Sequence, residues 1–188
     1  MSSLEADFDI LRQRLAGPGS LSAAGSDPFF YFVYDPAEAL TVKRMLPVWI
    51  AQLRQDGLEV QRVSFSDLLW ELVDATGRWE SWLAAEEDFE PAEVNASIRS
   101  ILRDDVLVRR VAQIVDTPRP GSVVFLTETE MLHPYFRVRA LESALHDRVK
   151  VPTVVFYPGL RKGHFGLQFL GFYPEDNNYR ATPIGGLA

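Results

Sequence analysis

Apolar residues recur along this chain in two rhythms, one helical and one extended. Leu4, Phe8, Leu11 and Leu15 fall at helical spacing, so the chain opens on a helix. The Gly/Ser/Pro stretch "AGPGSLSAAGSD" that follows reads as a flexible link. Between two Asp-Pro pairs lies "FFYFVY", residues 29–34, with the profile of a strand buried on both faces. An amphipathic helix is predicted over 37–55, stopped at Gly57. Val60 and Val63 alternate with polar residues and predict a second strand over 59–65. Ser66 is then the expected N-cap of a helix carrying Leu68, Leu69, Trp70 and Leu72. Trp79, Trp82 and Leu83, then Val94, Ile98, Ile101 and Leu102, mark further helical faces. "TPRPG" at 117–121 stops the helices, because proline lacks the N–H that would continue them. Beyond it the pattern predicts a strand over 122–126, a helix over 134–147, and strands over 152–157 and 167–172. The connection between these last two is too short for a crossover helix, so the last strand should be antiparallel to its predecessor.

These elements imply an α/β fold: a mostly parallel sheet with helices on both faces, doubly wound or P-loop-like. Residues 1–26 form the opening helix and link, and 27–188 a single α/β domain with a helical insertion at about 66–116. A chain of 188 residues is long enough to bury a core without covalent staples.

The absence of cysteine excludes disulfides, thiolate metal sites and cysteine nucleophiles. The acidic opening "MSSLEADFDI" has no apolar core, and no apolar run approaches the ~18 residues of a membrane span, so a cytoplasmic protein is expected. The net charge of -7 is uneven: residues 1–118 carry -9 and residues 119–188 carry +2. An acidic body repels a phosphate backbone, which disfavours nucleic-acid binding even through Arg161 and Lys162.

In such sheets ligands sit beyond the carboxyl ends of the strands. The first strand ends in "VYDPAEALTVKR", with neither G-x-x-x-x-G-K-[ST] nor G-x-G-x-x-G. Asp35 and Glu38 put negative charge where a phosphate would lie, and Lys43 and Arg44 read as a solvated helix face. The core is therefore P-loop-like without the phosphate loop. The third strand delivers Glu128 and Glu130, which with Asp35 offer a carboxylate cluster for a divalent cation. A cryptic metal- or nucleotide-dependent enzyme is the alternative this leaves open. His133, His146 and His164 lack metal-ligand spacing, and no G-x-S-x-G elbow accompanies them. No catalytic residue, metal ligand or cofactor is assigned.

Four stretches together resemble a known family. "YDPAEALTVKRMLPVWIAQL" with "GLEVQRVSFSDLLWEL", "VVFLTETEMLHPYFRVRALESAL", "VPTVVFYPG" and "LGFYPEDNNYRA" are similar to BrxB proteins, small components of the bacteriophage-exclusion (BREX) defence systems of bacteria and archaea. The resemblance spans about 29–180 and implies a non-catalytic scaffold or adaptor, with the phosphatase-like PglZ and the AAA-type ATPase BrxC as partners. A DNA methyltransferase would act elsewhere in the system. The signature residues are Asp35 and Pro36, Pro134 and Arg137, Tyr157, Pro158 and Gly159, and Asp176, Asn177, Tyr179 and Arg180.

Each has a physical reading. Pro158 and Gly159 should end a strand, the proline lacking an N–H and the glycine allowing positive φ. Phe156 and Tyr157 should face opposite sides of the sheet, one inward and one outward. Residues 175–178 are turn formers, after which Tyr179 and Arg180 leave extended as interface anchors, or Arg180 pairs with Asp35 or Asp176. Arg137 at a helix start gains nothing from the dipole and implies a specific acidic partner, in this chain or another.

Overall fold

A computed structural model describes residues 3–17, 29–84, 90–102, 104–116, 119, 121–145, 148–163, 166–177, 179 and 181–186. Among them six strands form the sheet: β1 (Phe29–Tyr34), β2 (Glu59–Ser64), β3 (Ser122–Thr127), β4 (Thr153–Lys162), β5 (Gly166–Phe169) and β6 (Thr182–Gly185). In the order β2-β3-β4-β1-β6 every neighbouring pair is parallel, while β5 runs antiparallel to the end of β4. The helices are α1 (Ser3–Ala16), α2 (Ala39–Gln55), α3 (Phe65–Asp74), α4 (Trp79–Ala84), α5 (Pro91–Ile101), α6 (Asp104–Val115) and α7 (Val138–Leu145). None of the described helices is long and apolar enough to cross a membrane.

The period-two geometry of a strand explains why both faces are covered. In β1, Phe29, Tyr31 and Val33 enter one core while Phe30, Phe32 and Tyr34 enter the other. β3 and β4 divide in the same way, so the central strands read as unbroken apolar runs. One core is closed by α3, α6 and α7, through Leu68, Leu107, Val111 and Leu141 among others. The other is closed by α1 and α2, where Phe8 stacks on Trp49 with ring centroids 4.6 Å apart. Arg12 and Asp56 add a two-pronged ion pair between α1 and the end of α2.

Several expectations shift. The N-cap of α3 is Ser64, not Ser66: β2 runs straight into the helix, and Ser64 Oγ accepts from Asp67 N at 3.1 Å. α7 begins at Val138 rather than Pro134. Tyr135 N and Phe136 N both donate to Leu132 O at 2.7 Å, so the chain first wraps the buried Leu132. The strand predicted over 167–172 ends at Phe169, because Leu170 and Gly171 take positive φ and turn the chain. Phe172-Tyr173-Pro174 therefore lies past the strand. The first Phe-Tyr-Pro does not end a strand either: β4 continues through Pro158 to Lys162. At Pro158 it leaves the register with β1 and, from Gly159, pairs with β5. Gly159 is not at positive φ; a Cβ there would lie 2.5 Å from both Gln168 O and the Tyr157 ring, so close approach requires the glycine. Tyr157 does not face outward, since it is as buried as Phe156. β6, for which no element was predicted, pairs with β1 along Phe30–Val33.

Candidate functional site

Two clusters of polar side chains lie where this topology brings distant segments together. The first is at the carboxyl ends of β1, β2 and β3. Parallel register sets Ser64 beside Thr127, and Glu128 follows directly in the left-handed region with φ 61°. Lys43 Nζ, from α2, donates to Glu128 Oε1. Ser64 Oγ and Arg62 Nη2 donate to Oε2, the latter at 3.0 Å, while Arg62 Nε reaches Thr127 Oγ1 at 3.0 Å. Burial alone would raise the Glu128 carboxyl, but hydrogen bonds from Lys43 and Ser64 and the charges of Lys43 and Arg62 hold it below its ordinary value.

This arrangement corrects two readings of the sequence. Lys43 is not merely a solvated helix residue, and Glu128 does not stand open beside Asp35 and Glu130. Asp35 caps the turn after β1, its Oδ1 accepting from Ala37 N at 2.8 Å, with Pro36 at the first position of that turn. Among the described residues no group of three or more His, Cys, Asp or Glu is placed to hold a metal ion. Glu130 is the exception to the pairing. Its buried Oε2 has no hydrogen-bond partner, and burial followed by the charge of Glu128 pushes its pKa up. An ionised carboxyl in that position opposes folding above its unfolded pKa. Glu130→Gln is therefore expected to raise the thermal midpoint at neutral pH and to leave it unchanged at about pH 3, well below the unfolded pKa, where the glutamate is protonated in both states. Melting curves at the two pH values check this.

The second cluster is a groove of about 430 Å³ between α7, β4 and the loop after β5, lined by Arg137, Arg139, Tyr157, Tyr173, Asp176 and Tyr179 among others. Its floor is aromatic. Tyr157 packs edge-on against Tyr31 at 5.3 Å and against Tyr179 at 5.8 Å, and the Tyr157 and Tyr179 hydroxyls are 3.2 Å apart. Burial raises the pKa of all three tyrosines, keeping them neutral donors. Beneath them the buried Glu142 of α7 accepts from Tyr31 Oη at 3.2 Å and from Ala181 N at 3.0 Å, tying α7 to the chain entering β6. On the rim, Arg139 pairs with Asp176 at 3.1 Å. The guanidinium of Arg137 lies over the Tyr173 ring, 4.2 Å from its centroid. Tyr173 is held in turn by a hydrogen bond to His133 Nδ1 and by Gln168 Nε2, which donates to its carbonyl at 3.0 Å. Within this chain the described contact of Arg137 is thus an aromatic ring and not an acidic group.

Residues 61–184 match a family model described as BREX protein BrxB. The chain belongs to the BrxB family. No curated protein and no solved structure matches it. Membership makes the chain a component of a BREX phage-defence system. The BrxB match starts inside β2, so it contains every lining residue of the tyrosine groove but only part of the ion-pair cluster, whose Lys43 lies outside it.

The signature residues divide accordingly. Arg137, Tyr157, Asp176 and Tyr179 meet in the groove, with Pro134 on the turn leading to it. Asn177 is exposed on the same loop, its Oδ1 lying 2.6 Å from where a Cβ on Gly166 would stand. Asp35 and Gly159 lie apart, lining a smaller hollow where β1 ends beside β4, and Pro36 follows Asp35 in its capped turn. Arg180, with His146 and His164, falls outside the described residues. Sequence reasoning missed Lys43, Arg62, Ser64 and Glu142. Only Glu142 left a signal, as a carboxylate beside Leu141 and Leu145 on the apolar stripe of its helix.

Proposed function

We propose that the chain is a non-catalytic adaptor of its BREX system, bridging the phosphatase-like PglZ and the AAA-type ATPase BrxC, and that the tyrosine groove is one of its docking surfaces. The observation that carries this reading is convergence. Signature residues from three separate stretches, Arg137, Tyr157 of the Phe-Tyr-Pro-Gly strand, and Asp176 with Tyr179, line one groove. Tyrosine and arginine are the side chains most often found as interface anchors, because they join apolar area to directed hydrogen bonds. Arg137 is exposed and held in position by its aromatic partner, so little conformational freedom is lost when a partner's acceptor meets it. Two of the three carboxylates at the strand ends favour the same reading: Asp35 is used as a cap and Glu128 is neutralised by Lys43 and Arg62.

Reversing the charge of the exposed arginine tests it. Arg137→Glu is expected to leave the thermal midpoint within about 2 °C and to weaken co-purification with PglZ or BrxC at least tenfold, the effect of losing one anchor. Undiminished capture of both proteins by a folded Arg137→Glu variant removes the groove from the interface.

A further inference from the structure

The helices between β2 and β3 divide into two kinds. α3 and α6 bury apolar residues against the sheet, whereas α4 and α5 bury none. Yet α4 and α5 are not polar helices. Trp79 is 41% exposed and Leu83 52%, and with Trp82, Val94 and Ile98 they line a groove of about 320 Å³. Trp70 of α3, itself 48% exposed, meets Trp79 edge-on at 5.4 Å and extends the apolar strip. α5 is anchored by other residues. Asn95 Oδ1 accepts from Tyr135 Oη at 3.1 Å, and Arg99 Nη2 donates to Pro134 O at 3.2 Å. The Trp-lined side is therefore left over once the helix has been secured to the rest of the fold. An apolar strip of this kind on a charged surface marks an interaction site.

Charge narrows the partner. Among the described residues from Arg78 to Leu102, Glu80, Glu90 and Glu93 are acidic and Arg78 and Arg99 basic; Arg99 is engaged with Pro134 O, and Glu93 itself lines the groove. Glu80 and Glu90 are exposed at the starts of the same two helices. A trough formed by two helices, apolar along its floor and acidic around it, accepts a third helix with apolar anchors at i, i+3 or i+4 and i+7 flanked by lysine or arginine. We infer that the groove between α4 and α5 is a docking site for a basic amphipathic helix of a partner protein. This site is separate from the tyrosine groove and does not depend on it. It would give an adaptor its second surface.

Three of the four tryptophans lie on the strip, so intrinsic emission reports its occupancy. The probe is a helical peptide of leucine and lysine with its leucines on one face; the control replaces each lysine by glutamate. The lysine peptide is expected to shift tryptophan emission to the blue, saturably and more weakly as salt rises. A Leu83→Ser, Val94→Ser double variant should bind it at least tenfold more weakly with its melting transition unchanged, because neither residue supports the core. Four results would each overturn the proposal: no emission change at millimolar peptide, equal affinity for the glutamate peptide, unchanged binding by the double variant, or a dimer in sedimentation that the same two substitutions dissolve. The last would assign the strip to a second copy of this chain.

Discussion

Replacing Trp49 by alanine is expected to cost about 3–5 kcal/mol, the range for removing a large aromatic from a packed core. For a chain of this size that lowers the thermal midpoint by roughly 10 °C. Trp49 is 2% exposed and is the hub of its core: Phe8 stacks on one side, while Phe32 at 5.3 Å and Phe156 at 6.3 Å present the rings of two adjacent strands. The indole joins α1, α2 and the sheet in one contact, so its loss also frees α1. Phe8→Ala should therefore be strongly destabilising in the wild-type chain and much milder once Trp49 is gone, a coupling that a double-mutant cycle measures. Additive effects would mean that α1 is held by Leu4, Leu11 and Leu15 without the ring stack.

Glu128→Gln is the second large effect, and its signature is in the pH dependence. The substitution leaves Lys43 and Arg62 without their shared counter-charge and is expected to cost about 2 kcal/mol, below the value for a fully buried pair because both cations are partly exposed. The folded-state pKa of Glu128 lies below its unfolded value, so the stabilisation is fully present above the unfolded pKa of about 4.3 and is lost as pH falls through the folded one. Wild type and variant should thus differ most at neutral pH and converge in acid. Denaturant titrations stepped from pH 7 down into acid follow the convergence. A difference that persists in acid would show that the side chain acts by packing rather than by charge.

Much of the architecture was legible because it follows from local chemistry. "FFYFVY" can only be a strand with both faces covered, and every one of its residues is buried. Spacing alone marked the buried face of α1, and the short link from β4 to β5 required an antiparallel return. β6 was not legible: "TPIG" carries no strand pattern and is a strand only because β1 offers it an open edge. The two Phe-Tyr-Pro triplets look equivalent in sequence yet lie in different surroundings. One is buried within β4 and the other sits on a turn that presents Tyr173 to Arg137 and His133.

The sequence by itself determined the class of fold, the two-sided burial of the central strands, the absence of a glycine-rich phosphate-binding motif and the family signature, because each depends on residue type and spacing within a short segment. Tertiary structure decided which charges meet. Lys43 and Glu128 are 85 residues apart, and only the side-by-side carboxyl ends of the strands pair them. The walls of the tyrosine groove come from α7 and from the loop after β5, brought together because Glu142 holds the entry to β6 against the same helix. Such pairings depend on strand order and register, which no local pattern encodes.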